Sequence, residues 1–319
     1  MKQNLCPHCG KPRMPGFPFC YHCHRFTHDD PTDADLRRLV ELSREGQKDL
    51  QGTPRDILSK TMAVLGLVGL GVGIYMLYHA DTWWTLGVLY GSLGLLLSAG
   101  LAAPRHPIVL EDKDYKAIGA NCIAPGELKA LLGEEVQYDP EAMLPADLVR
   151  QAQVYVRDYR TYQGGQLAVF RYRGIPVEMG YVHLTDRALR SYMDIELFEG
   201  FCLIADTGKP FPGELRIIEN YFGWLHVTGN EPAAADFDAM FHLKGRDFLT
   251  PEQRKGIVEA SGEGAGDAGI WLQPDGRIFV AAGGIWPICR EDRPPEQWRQ
   301  NYRQALTRPL RILDVFLQS

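Results

Sequence analysis

Residues 61–104 read TMAVLGLVGLGVGIYMLYHADTWWTLGVLYGSLGLLLSAGLAAP and carry one formal charge, Asp81. A helix needs about 20 predominantly apolar residues to cross a hydrocarbon core. Thr61–Ala80 and Thr82–Pro104 each reach that length, and the turn where they meet is essentially His79, Ala80 and Asp81. Two spans joined so tightly must run antiparallel. The expectation is therefore a two-helix transmembrane hairpin that leaves both chain ends on one side. Arg44, Lys48, Arg55 and Lys60 precede it, Arg105, Lys113 and Lys116 follow it, and the turn has no Lys or Arg. An excess of Lys and Arg marks the cytoplasmic side, so both termini are expected there, in a multi-pass protein of the cell membrane. Tyr75, Tyr78, Trp83 and Trp84 sit near the turn, where aromatic rings favour the lipid–water interface. The apolar run starts after sixty polar residues, too late for a cleaved leader. Gly69 and Gly73, Gly87 and Gly91, and Gly94 and Ser98 would let helix backbones approach closely, within the pair or between copies.

The hairpin divides a 319-residue chain of net charge -6 into unlike parts. Residues 1–60 carry +2 and residues 105–319 carry -7. An acidic C-terminal domain is a poor grip for nucleic acid, whose phosphates need a basic face.

The first part holds CPHCGKPRMPGFPFCYHCH, from Cys6 to His24. Cys6, Cys9, Cys20 and Cys23 form two C-x2-C pairs, the spacing of a tetrahedral thiolate site for structural zinc. Gly10 suits a turn of positive φ, and Pro12, Pro15, Gly16 and Pro18 prevent a helix between the pairs. So short a segment has no core of its own, so the metal supplies its folding energy. Four thiolates close the shell and leave no position for substrate. His8, His22 and His24 are then outer groups. CYHCH also fits the C-x-x-C-H pattern of haem attachment, with Met14 as a second axial ligand, but haem leaves Cys6 and Cys9 unexplained. A redox dithiol lacks its βαβ context, and structural disulfides do not suit a reducing compartment. Cys122, Cys202 and Cys289 stand alone and read as small buried hydrophobes.

The stretch resembles the short zinc ribbons found at the ends of many bacterial proteins. It departs from them at His24, where such ribbons carry a second glycine. Between ribbon and membrane, DDPTDADLRRLVELSREGQKDLQ, from Asp29, has acidic residues first and basic ones later, with an apolar stripe at Leu36, Leu39, Val40 and Leu50. That is an amphipathic helix aligned with its dipole. Thr53 and Pro54 suit the cap and first turn of the membrane helix.

Beyond Pro104, strand-like runs alternate with short helical ones. GQLAVFRYRGIPVEMGYVHL reads as two strands around Gly174, and Asp275-Gly276 marks a second hairpin. Further strands are expected at GFCLIADTG and GELRIIENYFGWLHV. Helices are expected at DPEAMLPADLVRQAQVY, AADFDAMF and TPEQRKGIVEA, the last capped by Thr250 and Pro251. In the C-terminal helix Trp298, Tyr302 and Leu306 share a face that docks on the domain; with Arg299, Arg303, Arg308 and Arg311 the alternative is an anionic lipid surface. The fold class is α+β with a mainly antiparallel sheet. The domains are a zinc ribbon (1–28), an amphipathic linker (29–60), the membrane hairpin (61–104) and a cytoplasmic α+β domain (105–319).

Four blocks, IPVEMGYVHLTD, LFEGFCLIADTGKPFPGEL, ADFDAMFHLKGRDFLTPEQRKGI and GRIFVAA, resemble in their order the bacterial family called DUF3137, over about residues 110–290. Members typically show a FxGxFxxAD block followed by an LTP block, and often carry a membrane hairpin ahead of the domain. Leu197 stands here at the first aromatic position. The resemblance implies a membrane-anchored domain and brings no activity or catalytic residue with it.

Enzyme signatures are sparse. LIADTG contains one Asp-Thr-Gly, at Asp206, whereas aspartic proteases pair two carboxylates, so a dimer would be needed. The phosphate-loop spacing is not met at Gly208. His183, His226 and His242 show no ligand spacing and read as ordinary strand or loop residues. The expected function is a binding or scaffold module with the bilayer and proteins as partners. A metal or redox sensor, or a dimeric protease using Asp206, are the alternatives.

Overall fold

The computed structural model describes residues 5–12, 18–28, 31–50, 54–79, 84–102, 110–155, 159–187, 194–220, 237–262, 267–284, 289 and 293–317. The chain forms two compact units, one built from Met1–Pro31 together with Asp112–Ser319, the other from Thr32–Glu111.

The first unit opens with β1 (Phe19–Cys20) and β2 (Arg25–Phe26), an antiparallel pair that aligns Phe19 with Phe26 and Cys20 with Arg25. The second unit contains three helices, α1 (Asp33–Leu50), α2 (Pro54–His79) and α3 (Trp84–Ala102). Thr32 caps α1: its hydroxyl accepts from the Asp35 amide at 3.3 Å, and the Asp35 carboxylate accepts back from the Thr32 amide at 2.8 Å. Leu36, Leu39 and Val40 of the expected stripe are buried.

Helix α2 begins at Pro54, as its first-turn proline requires; Thr53 lies outside the described residues. A methyl at Gly66 would overlap Leu96, one at Gly69 the Ser92 hydroxyl and one at Gly73 Leu89. Partners that descend along α3 as positions climb along α2 define an antiparallel packing, so α2's small residues serve the pair itself. Gly91 and Gly94 face open space. Among the described residues one helical segment, Ile57–Tyr75, is long and apolar enough to cross a membrane; its mean hydropathy is 1.9 and only 11% of it is buried. The second expected span contributes a shorter apolar segment, Val88–Ser98. Its residues 82–83 and 103–104, like the turn at 80–81, lie outside the described residues.

The rest of the first unit is α+β. Helix α4 (Asp112–Ile118) passes through a π turn (Gly119–Ile123) into α5 (Ala124–Leu132). Then come β3 (Gln137–Asp139), α6 (Ala146–Ala152), β4 (Thr161–Tyr172), β5 (Ile175–Arg187), β6 (Asp194–Asp206) and β7 (Leu215–Glu219). Helix α7 (Phe237–Met240), β8 (Phe241–Gly245), α8 (Pro251–Ser261), β9 (Ala268–Leu272), β10 (Arg277–Gly283) and α9 (Pro295–Leu317) complete it. The eight strands β3 to β10 make one sheet in the order β3-β4-β5-β6-β10-β9-β7-β8, every neighbouring pair antiparallel.

Turn chemistry sets the register. Arg173 and Gly174 both have positive φ (49° and 86°), the two-residue turn that matches the twist of β4 and β5. Between β9 and β10 the Gly276 amide donates to the Gln273 carbonyl at 3.0 Å, around Pro274 and Asp275. Thr250 and Gln253 cap α8 reciprocally, at 3.2 and 3.0 Å.

One face of the sheet carries Val182, Leu184, Phe198, Cys202, Phe279 and Ala281 against Leu144, Val149, Ala152 and Val154 of the α6 region. On α9, Trp298, Tyr302, Leu306, Leu310 and Leu313 are all buried. Two of its arginines pair within the unit: Arg303 meets Glu127 at 2.8 Å, and Arg308 is buried with its guanidinium on the Gly283 carbonyl. The docking role therefore holds, and the lipid-facing alternative does not fit an apolar stripe that the domain already buries. Helix α6 is shorter than the 17 residues its sequence suggests. Asp139 turns the chain by accepting from the amides of Glu141 and Ala142, and β4 amides use the Pro140 and Ala142 carbonyls.

Candidate metal centre

The two C-x2-C pairs form matching turns. In each, the amide after the second cysteine donates to the carbonyl of the first: Gly10 to Cys6 at 2.9 Å and His24 to Cys20 at 2.8 Å. Each of those following residues is left-handed, Gly10 at φ 69° and His24 at φ 53°. Such a turn aims both sulfurs inward. The four sulfurs lie within 4.8 Å of one another, with Cys6 to Cys23 and Cys9 to Cys20 both at 3.7 Å. A tetrahedral shell with metal–sulfur distances of 2.3 Å has edges of about 3.8 Å. These four cysteines could therefore hold one metal ion.

Electrostatics favour the same conclusion. Burial pushes the Cys6 thiol up, but the amides of Cys9 and His8 and the neighbouring sulfurs outweigh it and hold the group at about 6. Cys20 and Cys23 go the other way, raised by burial and then by the adjacent sulfurs. Four thiolates cannot collect at this spacing without a cation to neutralise them.

The outer residues tie this centre to α4, the π turn and α9. His8 bonds the Phe26 carbonyl at 2.8 Å through Nε2, and His24 Nε2 meets Asp114 Oδ1 on α4 at 2.8 Å. The π turn offers Asn121 Nδ2 to the Cys23 carbonyl at 3.4 Å and Cys122 Sγ to the His24 carbonyl at 3.2 Å. Arg299 on α9 donates to the Pro31 carbonyl. A cleft of about 300 Å³ opens beside these contacts, lined in part by His8, Arg25, Asn121, Lys129 and Tyr138. Gly119 in the π turn is required by close approach, since a methyl there would strike the Tyr302 hydroxyl.

The remaining candidates fall elsewhere. Asp206 ends β6, and its carboxylate accepts from the Gly208 amide at 2.9 Å, the work of a strand-to-turn residue. Cys122, Cys202 and Cys289 are buried, and burial raises the first two thiols to about 12. His242 lies on β8 opposite Ile218; Met14 and His226 lie outside the described residues. His183 departs from the sequence reading, because it meets Glu196 and Glu199 on β6 in a second group of metal-ligating side chains. The signal needed to find it was the local register of two strands. Burial, then the Glu199 charge, raises the Glu196 carboxyl.

No family model matches this chain, and no curated protein or solved structure matches it.

Proposed function

We propose that the chain is an integral membrane protein, anchored by a two-pass helical hairpin with both ends in the cytoplasm, whose zinc-stapled ribbon and sheet domain together form a binding or scaffold module. One observation carries the reading. The segments before and after the apolar helices, Met1–Pro31 and Asp112–Ser319, belong to one compact unit. A chain that crossed a bilayer once between them would separate them by the membrane. An even number of crossings would keep them together; on this proposal α2 makes the first and α3, whose described apolar segment is the shorter Val88–Ser98, makes the second. The Lys and Arg flanking residues 61–104 favour the cytoplasmic side.

Zinc is the ion best suited to four thiolates in a closed shell, and its role is to fold the ribbon. The partners are the bilayer and proteins recognised by the ribbon–sheet surface; nucleic acid is not among them, given the -7 charge of residues 105–319. The order of the four sequence blocks is what supports grouping the domain, on the same proposal, with the DUF3137 family.

Reporter fusions at each terminus, active only inside or only outside the cytoplasm, test the topology. Both ends should report cytoplasmic. One end reporting external would overturn the two-pass reading. Elemental analysis of the purified protein should give one zinc per chain with no Soret absorption.

A further inference from the structure

The pair β5 and β6 holds an irregularity that brings three ligand-type side chains together. Along a regular strand, residues three apart point to opposite faces, so Glu196 and Glu199 should not meet. The pairing runs regularly from Val177↔Ala205 to Leu184↔Phe198, then shifts so that Thr185 faces Glu196 and Leu197 has no partner. Leu197 packs on the same apolar cluster as Phe198, so two successive side chains serve one face. The alternation is reset. Glu196 therefore joins Glu199 and His183 on the opposite face, where His183 already lies across from Glu199. Bulges that re-aim one side chain recur beside active sites.

The donors are well placed. His183 Nε2 lies 3.4 Å from Glu196 Oε2, and all three ligand atoms lie within 4.8 Å of one another. Donors 2.0–2.2 Å from one ion in tetrahedral array stand about 3.3–3.6 Å apart. The His183–Glu196 edge already has that length, and Glu199 needs to close by no more than about 1.5 Å. The other ring nitrogen, Nδ1, sits 3.5 Å from Gln163 Oε1 across the β4–β5 pair. A ring that donates from Nδ1 to a carbonyl oxygen turns a lone pair at Nε2 toward the carboxylates, an arrangement that only a proton or a cation satisfies. Metal-bound histidines are held by an outer hydrogen bond of this kind. Tyr181 likewise donates to Glu199 Oε1 and orients a carboxylate that is only 5% exposed.

We propose that His183, Glu196 and Glu199 form a second cation site, for a first-row divalent ion that prefers oxygen and imidazole donors. Three protein donors leave positions for water, and Glu196, with 45% of its side chain exposed, lies on the open side. The ion is chemically distinct from the one at the four cysteines, because thiolates select soft ions and carboxylates hard ones.

Manganese separates the two sites and is the probe. The full chain in detergent, with its cysteine site loaded with zinc, is titrated with Mn2+ while the paramagnetic spectrum of the free ion is followed. One equivalent should disappear from the free signal. Glu196→Gln and Glu199→Gln should each weaken binding at least tenfold, while Glu134→Gln, an exposed carboxylate elsewhere, should leave it unchanged. If Glu199→Gln fails to fold, the more exposed Glu196→Gln carries the test, with its melting temperature confirming an intact domain. Mn2+ that stays free up to millimolar concentration, or binding that Glu196→Gln leaves intact or Glu134→Gln weakens, would overturn the proposal.

Discussion

His24 is the natural place to perturb the ribbon, because two opposing terms meet on one residue. Its backbone sits at φ 53°, a left-handed conformation that costs a residue with a Cβ about 1 kcal/mol relative to glycine. Its imidazole meets Asp114 at 2.8 Å with both side chains largely covered, at 22% and 13% exposed. A hydrogen bond to a carboxylate in such a setting is worth about 2 kcal/mol. His24→Gly regains the backbone term and loses the contact, so the ribbon should be held less tightly by about 1 kcal/mol, or about fivefold. His24→Ala loses the contact and keeps the strain, for about 2 kcal/mol or about thirtyfold. The assay is the rate at which a chromophoric chelator captures zinc from the full chain in detergent. Release should quicken in the order wild type, His24→Gly, His24→Ala, and Asp114→Asn should erase most of the difference between wild type and His24→Gly. If His24→Gly held its metal as long as the wild type, the backbone term would outweigh the contact and the reasoning would fail.

Two further outcomes follow from the sheet domain. Glu219 is buried, and burial raises its carboxyl to about 7 although the Ala268 amide and Arg308 pull it down. The native state thus holds a proton that the unfolded chain loses near pH 4.5, so stability should fall by about 3 kcal/mol as pH rises from 4.5 to 7; Asp267, also raised by burial, adds the same sign. Denaturant titrations across that window should show the decline, and Glu219→Gln should flatten it; an unchanged slope in the variant would refute the assignment. Gly200 lies across from Gly283 in the β6–β10 pair, and a methyl there would overlap the Ala282 carbonyl. Gly200→Ala should lower stability by about 2–3 kcal/mol, read as a lower denaturation midpoint, whereas Gly174→Asn should cost little because asparagine tolerates positive φ.

Local chemistry was the legible part of this chain. The Gly174 and Asp275-Gly276 turns, the Thr250 cap and the paired cysteines all act within a few residues, and each lies where its spacing indicates. The features that no local pattern encodes depend on distant partners. His24 reads as an anomaly until Asp114, ninety residues on, appears beside it. Glu196 and Glu199 look incompatible on one strand until the Leu197 bulge is known, and no composition or period encodes that bulge. The long helix suggested around Pro145 failed because the neighbouring strand recruited its first carbonyls. The grouping of the N-terminal ribbon with the sheet was likewise invisible, since nothing in residues 1–31 names α9 as a neighbour.

The Arg299 contact to Pro31 spans 268 positions. A ribosome adding 5–20 residues each second needs roughly 15–50 s to travel that far. Throughout that interval the cysteine turns have emerged while the surface that receives them has not been made. Metal capture during synthesis would give the waiting segment a shape of its own, and it would keep four free thiols out of reach of oxidants and of neighbouring nascent chains until α9 arrives.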